Sequence, residues 1–307
     1  MLIYIAGAGA MGCCFGYKLK KSGNEVVLLD DWQPHIDAIK KNGLHVTGDS
    51  DFIIPMTIMH PSEAKEEADF IILFTKSMQL ENMLKEIKHV ISKKTKVLCL
   101  LNGLGHEDTI SKFVSRENII MGVTVWAAGL TTPGEIILKG KGAVNLQSFS
   151  KEGEEAIKDI VDAMNKAGLN VTYDNDVIVS IWRKACVNGV MNPTCALMDS
   201  TVGEFFKSEA AIRIVKQLVH EFVLVANKEG IKLDEQETYD YVIHLCELKA
   251  EHYPSMHQDL IQNHRFTEID YINGAVAKKG KALGIETPYC QMITDFIHAK
   301  ESVLKIG

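Results

Sequence analysis

The sequence lacks the local features that would place it in a specialised class of protein. No apolar run approaches the roughly 18 to 20 residues that a membrane-spanning helix needs, so we expect no membrane association. Residues 1–6 are apolar, but no basic segment precedes them, and a secretory signal peptide is not expected. Hydrophobic residues make up 46% and charged residues 24%, a balance typical of globular proteins. We therefore expect a cytoplasmic protein.

Basic clusters and metal-ligand patterns are also missing. The formal net charge is -7, which argues against a nucleic-acid partner but still allows a small anionic substrate in a locally positive pocket. The 7 cysteines are odd in number and show no C-x-x-C spacing, so we expect reduced thiols. The 11 histidines form no H-x-x-x-H pair with an acidic neighbour, and we expect no metal.

Length and hydrophobic patterning predict two domains. A chain of 307 residues exceeds an ordinary doubly wound domain. The predicted fold class is α/β, with an N-terminal Rossmann (doubly wound) domain over 1–175 and an all-helical C-terminal substrate and catalytic domain over 176–307. A helix is predicted over 151–166, and strands are predicted over 2–6, 26–29, 70–74, 97–101, 119–126, 134–138, 143–149 and 169–173.

The strongest local signal is a G-x-G-x-x-G turn between the first predicted strand and a helix. In a dinucleotide-binding βαβ unit the first glycine makes the tight turn, and the second lets the backbone approach the pyrophosphate. The third allows close helix–strand packing, and the helix N-terminus favours the anion. We therefore expect a cofactor-binding turn formed by Gly7, Ala8, Gly9, Ala10, Met11 and Gly12.

Two aspartates at the end of the second strand, Asp30 and Asp31, indicate which cofactor is used. A carboxylate there can accept hydrogen bonds from the adenosine ribose hydroxyls, whereas it would repel the 2′-phosphate of NADP. No arginine stands beside the pair. We expect both aspartates in the cofactor site, with NAD (NADH) favoured over NADP. The alternative is that they are solvated loop residues.

Polar residues also mark two other strand ends and one helix. Lys76 and Asn102 follow strands, where open α/β sheets bind their ligands. Lys184, Asn188 and Asn192 recur at every fourth residue and so share one face of a helix. An ammonium group beside two amides suits a small anion with a ketone, whereas an ordinary surface lysine is the alternative.

Together these segments resemble the ketopantoate reductase family over the whole chain, most specifically in two blocks after residue 250. The resemblance is carried by Gly7-Ala8-Gly9-Ala10-Met11-Gly12, Lys76, Asn102-Gly103, Trp182-Arg183-Lys184, Asn188, Asn192-Pro193, Ser255-Met256, Gln258-Asp259 and Thr267-Glu268-Ile269-Asp270-Tyr271-Ile272-Asn273-Gly274. It implies an oxidoreductase with a Rossmann domain, an all-helical domain and an active site in the cleft between them.

The resemblance also implies a role for each site residue. Lys184 is the catalytic general acid that protonates the ketone oxygen as hydride arrives from the nicotinamide, giving the D (R) alcohol. A partly desolvated lysine has the lowered pKa that this role needs. Glu268 is the second catalytic residue and positions Lys184 and the substrate. Lys76 lies near the nicotinamide end of the cofactor, and the substrate oxygens are bound by Asn102, Asn188, Asn192 and Ser255.

Three departures from the family pattern concern cofactor and substrate. Asp30-Asp31 stand where the family usually has a basic residue for the 2′-phosphate of NADPH. Val202 and His252 stand where asparagines usually hold the hydroxyl and carboxylate of ketopantoate. A site that loses partners for a substrate hydroxyl gives up its preference for hydroxylated substrates.

We therefore predict NADH-dependent reduction of a 2-keto acid with a branched or aromatic side chain to the D-2-hydroxy acid, and the reverse oxidation. Reduction of ketopantoate to D-pantoate is the alternative.

A protein that only senses a nucleotide, without catalysis, would have no use for Lys184 beside two amides. His257 and His264 are the rival acids, and apolar stripes such as 212–226 are compatible with a homodimer.

Overall fold

Short apolar runs in the first half of the chain form the strands of two sheets. The structure is a computed structural model that describes residues 1–306, apart from the side chain of Ala156. The strands are β1 (Leu2–Ala6), β2 (Glu25–Leu29), β3 (Leu44–Gly48), β4 (Phe52–Ile54), β5 (Thr57–Met59), β6 (Phe70–Leu73), β7 (Lys96–Cys99), β8 (Ile119–Thr124), β9 (Ala128–Thr132), β10 (Glu135–Leu138), β11 (Val144–Ser148) and β12 (Val171–Tyr173). The helices among them are α1 (Ala10–Lys21), α2 (Gln33–Asn42), α3 (Leu80–Glu86), α4 (His106–Ile110) and α5 (Lys158–Lys166).

The larger sheet has eight strands in the order β12-β11-β8-β7-β6-β1-β2-β5, and the smaller has four in the order β4-β3-β10-β9. β1 pairs in parallel with β2 on one side and with β6 on the other. Both β1 and β6 are almost entirely buried, as expected for a parallel sheet that is covered on both faces. The chain thus reverses its direction across the sheet at β1, and ligands of such sheets bind off the strand ends at this switch point.

The helical part of the chain begins after β12. Its helices are α6 (Val177–Met198), α7 (Val202–Phe206), α8 (Glu209–Lys228), α9 (Glu235–Leu248), α10 (Ser255–His257), α11 (Asn273–Leu283) and α12 (Pro288–Val303). α8 packs against α7, α9, α11 and α12. A π-helical turn, Gln258–Gln262, follows α10 directly. Among the described residues, none of the helices combines the length and the apolarity that crossing a bilayer requires.

The structure divides into two units, each with its own core of buried apolar side chains. The first unit comprises residues 1–101 and 106–177, and the second comprises 102–105 together with the chain from 178 onward. The first contains both sheets, and the second is helical. The predicted fold class, a Rossmann domain with a helical domain, is confirmed.

Two expectations about local structure need correction. The helix predicted over 151–166 begins only at Lys158, because the first residues form the 3-10 turns Lys151–Gly153 and Glu155–Ile157. A Cβ on Gly153 would overlap the Glu117 carbonyl oxygen, and glycine is a weak helix former. The sequence patterns also missed β3, β4, β5 and β9, which are short or partly exposed strands.

A buried carboxylate holds the start of α12. Glu221 of α8 is 3% exposed, and its carboxylate oxygens accept the backbone N–H groups of Tyr289 (2.8 Å) and Cys290 (2.7 Å). The first N–H groups of a helix have no partner within the helix, and they favour negative charge. Glu221 therefore connects α8 to α12 and stabilises the N-terminus of α12.

We expect Glu221→Ala to lower the free energy of unfolding by about 3 kcal/mol or more. Two N–H groups would lose their acceptor, at about 1–3 kcal/mol each if they stay buried, and a cavity would add to the loss. Chemical denaturation measures the difference. Gln217→Ala, at an exposed position of the same helix, is the matched control and should stay within about 0.5 kcal/mol of the parent. A loss below about 1 kcal/mol for Glu221→Ala would contradict this role.

Candidate cofactor and substrate sites

The glycine turn between β1 and α1 adopts a form that requires glycine at two positions. Gly7 has a φ of +97°, and a Cβ there would lie 2.5 Å from the Thr75 backbone nitrogen. A Cβ on Gly12 would overlap the carbonyl oxygen of Gly7. On Gly9, in contrast, a Cβ would meet nothing within 4 Å. The fold therefore requires Gly7 and Gly12, whereas Gly9 keeps the space in front of α1 open.

The groups around this turn fit a dinucleotide. Gly9 is the N-cap of α1 and provides no side-chain acceptor for the first N–H groups of the helix, which begins with Ala10 and Met11. Such an uncapped N-terminus suits a pyrophosphate. The Thr75 hydroxyl, just past β6, is buried and has no hydrogen-bond partner among the described residues. Lys76 comes next and is half-buried.

Asp30 has a structural contact that the sequence did not indicate. Its Oδ2 accepts the backbone N–H of Ala8 in the glycine turn (2.8 Å), and its Oδ1 accepts that of Trp32 (2.9 Å). Asp31 is exposed. Each carboxylate oxygen can accept a second hydrogen bond, so Asp30 can hold the turn and still accept a ribose hydroxyl. The two aspartates therefore lie in different environments.

Contacts near Pro193 hold α6, the helix that carries Lys184, in place. Pro193 lies inside α6 and has no N–H for the carbonyl of Gly189, four residues earlier. The side-chain amide of the fully buried Asn273 donates to that carbonyl instead (3.0 Å). A Cβ on Gly189 would overlap the ring of Phe222, so glycine also allows α8 to approach here. α6 is thereby held both by α8 and by the start of α11.

Lys184 has the electrostatic environment of a general acid. It is half-buried on α6, and burial, with the nearby ammonium group of Lys249, lowers its pKa to about 8, although Glu268 opposes the shift. Glu268 therefore lies within electrostatic reach of Lys184. An ammonium group with a pKa near neutrality can release its proton to a reacting oxygen.

The amides and the serine predicted for the substrate lie in the same unit. Asn192 is 6% exposed, and its side-chain amide donates to the hydroxyl of Ser255 (3.4 Å). Asn188 is half-buried, one helical turn from both Lys184 and Asn192. Asn102 also belongs to this unit, because the segment after it packs on the helical part of the chain.

That segment makes its contact through a glycine. Gly103 has a φ of +97°, and a Cβ on it would overlap the carbonyl oxygen of Tyr271. The same carbonyl accepts the backbone N–H of Leu104 (2.8 Å). Asn102 is thus joined to the segment that begins at Glu268.

The segment that carries Glu268 is anchored by a buried carboxylate on α12. Glu301 is 5% exposed and accepts both the backbone N–H of Thr267 (2.9 Å) and its hydroxyl (2.8 Å). On the other side, the carbonyl of Glu268 accepts the N–H of Tyr271 (3.0 Å). The backbone at Glu268 is therefore held from both directions.

The structure gives the remaining candidates different surroundings. His257 is buried with its Nε2 2.8 Å from the Asp199 carboxylate, and His264 is exposed; we assign neither a catalytic role. Val202 packs in the core of the second unit. Compared with the asparagine usual in the family, it makes that core more apolar, and it adds no apolar surface to an open pocket. His252 is exposed.

A Rossmann unit with a G-x-G-x-x-G turn and a helical unit that carries a lysine of lowered pKa are typical of dehydrogenases. Two family comparisons cover most of the chain. The family described as Ketopantoate reductase PanE/ApbA matches residues 3–151, and Ketopantoate reductase PanE/ApbA C terminal matches residues 176–301. The chain therefore belongs to the ketopantoate reductase family of oxidoreductases, and the resemblance predicted from the sequence is confirmed.

Full-length relatives support the same family. A 2-dehydropantoate 2-reductase of Streptococcus pyogenes is 59% identical over 306 residues, which cover 100% of both chains. One of Lactococcus lactis is 47% identical over 310 residues, covering 99% of each. A solved structure of D-mandelate dehydrogenase with NADH and anilino(oxo)acetate has a TM-score of 0.95 and 48% identity, again over 100% of both chains.

Proposed function

We propose that the chain catalyses the NADH-dependent reduction of a 2-keto acid to its D-2-hydroxy acid. The observation that carries the proposal is the half-buried Lys184, whose pKa is lowered to about 8 and which stands on one helix face with Asn188 and Asn192. Such a group can protonate a ketone oxygen, and its charge can stabilise the alkoxide that develops there.

In this proposal the residues of the first unit would hold the cofactor. The N–H groups at the start of α1, with the glycine turn over 7–12, would bind the pyrophosphate. Asp30 would accept the adenosine ribose hydroxyls, Asp31 would add negative charge against a 2′-phosphate, and Lys76 would lie at the nicotinamide end. NADH supplies the hydride when it is bound.

The residues of the second unit would bind the substrate and provide the proton. Lys184 would give its proton to the ketone oxygen in reduction, and its neutral amine would accept that proton in oxidation. Glu268 would keep the lysine and the substrate in position. The keto acid oxygens would be bound by Asn102, Asn188, Asn192 and Ser255, which offer neutral donors.

The preference for NADH rests on Asp30. The half-buried carboxylate already accepts two backbone N–H groups, which hold it beside the glycine turn. A fixed negative charge there would repel the 2′-phosphate of NADPH at a cost of several kcal/mol. A related structure, the D-mandelate dehydrogenase at 48% identity, contains NADH.

Two substrates are candidates. Ketopantoate is favoured by the names of the curated relatives, at up to 59% identity over the full length. A keto acid with a branched or aromatic side chain, the prediction from sequence, is supported by the D-mandelate dehydrogenase structure and by His252 in place of an asparagine. Val202 adds no support, because it lies in the core of the second unit. The comparisons favour ketopantoate more strongly, because its supporting relatives are more similar to this chain.

The deciding measurement is steady-state kcat/KM for ketopantoate, 2-ketoisocaproate and phenylglyoxylate, each with NADH and with NADPH. We expect NADH to be preferred by about tenfold or more, since each 1.4 kcal/mol of repulsion is a factor of ten. Preference for ketopantoate would identify a 2-dehydropantoate 2-reductase, and preference for the apolar acids a D-2-hydroxyacid dehydrogenase. If the enzyme turned over none of the three keto acids, the proposal would be contradicted.

A further inference from the structure

The first unit contains a buried histidine whose ring contacts both a turn of the smaller sheet and the start of α1. His35 of α2 is 1% exposed, and its Nδ1 accepts the backbone N–H of Gly134, between β9 and β10 (3.0 Å). Its Nε2 lies 3.5 Å from the Sγ of Cys13, which is fully buried in α1. The ring therefore joins two segments that are far apart in sequence.

The direction of each hydrogen bond around this ring follows from the groups that can only donate. A backbone N–H cannot accept, so Nδ1 of His35 presents its lone pair to Gly134, and the proton of the neutral ring then sits on Nε2. Nε2–H donates to the sulfur of Cys13, and the thiol donates to the carbonyl of Ala8 (3.0 Å). Burial raises the pKa of this thiol, so it keeps the proton that it donates. We call the chain Gly134–His35–Cys13–Ala8 the relay.

The relay ends in the glycine turn that would bind the cofactor. The carbonyl of Ala8 accepts the Cys13 thiol, and the N–H of Ala8 donates to Asp30 (2.8 Å). The backbone N–H of Cys13 donates to the carbonyl of Gly9 (2.9 Å), which closes the first turn of α1. These bonds fix the peptide groups before and after Gly9, where the backbone has to approach a pyrophosphate.

The other end of the relay is anchored in the smaller sheet. The carbonyl of Gly134 accepts the N–H of His45 in β3 (2.9 Å), so both backbone groups of this glycine are engaged. The indole of Trp32 lies parallel to the ring of His35, with the ring centroids 5.6 Å apart. The imidazole is therefore held at both of its nitrogens and on one face.

We propose that His35 and Cys13 are positioning residues for the dinucleotide: the relay sets the orientation of the Ala8 carbonyl and so holds the glycine turn in the form that accepts a pyrophosphate. The inference rests on the proposed function, because it concerns the same cofactor site. Both side chains are buried, and they act through the backbone of the turn. A turn that is already fixed in its binding form loses less conformational freedom when the cofactor binds.

The test uses two neighbouring buried cysteines. Cys13→Ala removes the donor to Ala8, whereas Cys14→Ala removes a fully buried thiol that takes no part in the relay. Both substitutions leave a similar cavity, so the midpoint of thermal unfolding should fall by similar amounts. We expect the Kd for NADH, from a fluorescence titration, to rise by about threefold to tenfold in Cys13→Ala, as for the loss of one hydrogen bond. It should stay at the parent value in Cys14→Ala. Cys13→Ser should restore binding, because a hydroxyl can accept and donate in the same way.

The pH dependence of cofactor binding is a measurement that a cavity alone would not change. Burial lowers the pKa of His35 below its ordinary value of 6.5, although the charge of Asp30 and a hydrogen bond with the Ala8 carbonyl oppose the shift. The relay is complete above about pH 6.5 and is lost as the pH falls through the lowered pKa, because an imidazolium has no lone pair for Gly134. We expect the Kd for NAD⁺, which is stable in acid, to rise by about threefold or more between about pH 7.5 and 5 in the parent and to stay level in His35→Gln.

Other ionisable groups near α2 have to be separated from His35. Asp30 and the Cys13 thiol face its ring. The lysines of α1 lie in its last turn, away from the glycine turn. The other charged or ionisable groups on α2 and on the strands and turns beside it are Asp31, Asp37, Lys40, Lys41, His45, His60 and Glu135. Two of them are histidines, the residue type that ionises in this pH range. His45→Gln and His60→Gln are therefore the controls, and both should keep the pH dependence of the parent.

The outcomes distinguish this inference from the proposed function. If Cys13→Ala binds NADH as tightly as Cys14→Ala, or if ¹⁵N NMR finds the proton of the neutral His35 ring on Nδ1, the relay does not position the turn. The proposed function would then stand as long as the parent reduces the keto acids. If the parent binds NADH but reduces none of them, the proposed function is wrong, and the binding measurements still decide this inference. If the parent binds no dinucleotide, both are wrong.

Discussion

Replacing Lys184 with alanine should lower kcat for keto acid reduction by about 10³-fold or more. General acid catalysis contributes about 10²–10⁴-fold, and loss of the charge that stabilises the alkoxide adds to the effect. The amides of Asn188 and Asn192 would remain, so the KM of the keto acid should change much less than kcat. Steady-state kinetics with saturating NADH measures the two effects separately.

Two companion variants make the result specific. Lys184→Arg keeps the positive charge, but a guanidinium group does not release its proton near neutral pH. Its kcat should therefore recover only the part of the loss that comes from the charge and stay far below that of the parent. Lys232→Ala should behave as the parent. If Lys184→Ala retained more than about a tenth of the parent kcat with bound cofactor, the acid would have to be another group.

The pH dependence of kcat/KM should report the ionisation of Lys184 both in reduction and in oxidation, with opposite trends. Because the pKa of Lys184 is lowered to about 8, its ammonium form predominates below that pH and its neutral amine above it. Reduction needs the ammonium form, so kcat/KM for the keto acid should be level below about pH 8 and fall above it. Oxidation of the hydroxy acid needs the amine, and its kcat/KM should rise with pH up to about 8.

The second large effect concerns two glycines of one turn. Gly12→Ala places a methyl group on the carbonyl oxygen of Gly7, and neither backbone can move without breaking the β1–α1 junction. We expect a loss of about 3 kcal/mol or more in the free energy of unfolding, or no soluble protein. Gly9→Ala has open space around the new methyl group, so its stability should stay within about 1 kcal/mol of the parent.

The effect of Gly9→Ala should appear in cofactor binding instead. A methyl group there occupies the space through which a pyrophosphate would approach the first N–H groups of α1. We expect the Kd for NADH to rise by about tenfold or more, since loss of one charge-assisted hydrogen bond costs about 1.5–3 kcal/mol. Thermal unfolding and a fluorescence titration with NADH measure the two properties. Unchanged NADH binding by Gly9→Ala would show that the cofactor does not use this turn.

The parts of the fold that the sequence predicted are those that depend on neighbours along the chain. Apolar runs identified the central strands of the larger sheet, and glycine spacing identified the turn before α1. β9 was missed because its side chains are mostly exposed, and β3 was missed because it is stabilised by pairing with β10, which lies far away in sequence. Strand pairing of this kind leaves little local pattern.

The same distinction applies to the candidate site. The spacing of Lys184, Asn188 and Asn192 predicted a shared helix face. The contacts of Asp30 with Ala8 and of Glu301 with Thr267 could not be predicted, because each joins groups far apart in sequence. The contact of Asn273 with the Gly189 carbonyl is an intermediate case, since a proline inside a helix leaves the carbonyl four residues earlier without its usual N–H donor.

The link between Glu301 and Thr267 also bears on how the protein is made. The two residues are 34 positions apart, and synthesis adds about 5–20 residues per second. For roughly 2 to 7 seconds, therefore, Thr267 has been added to the chain while the carboxylate that anchors it does not yet exist. The backbone beside Glu268 can be fixed only after α12 has followed. The chain thus assembles the segment that carries Glu268 late, when the rest of the helical unit is already available for folding.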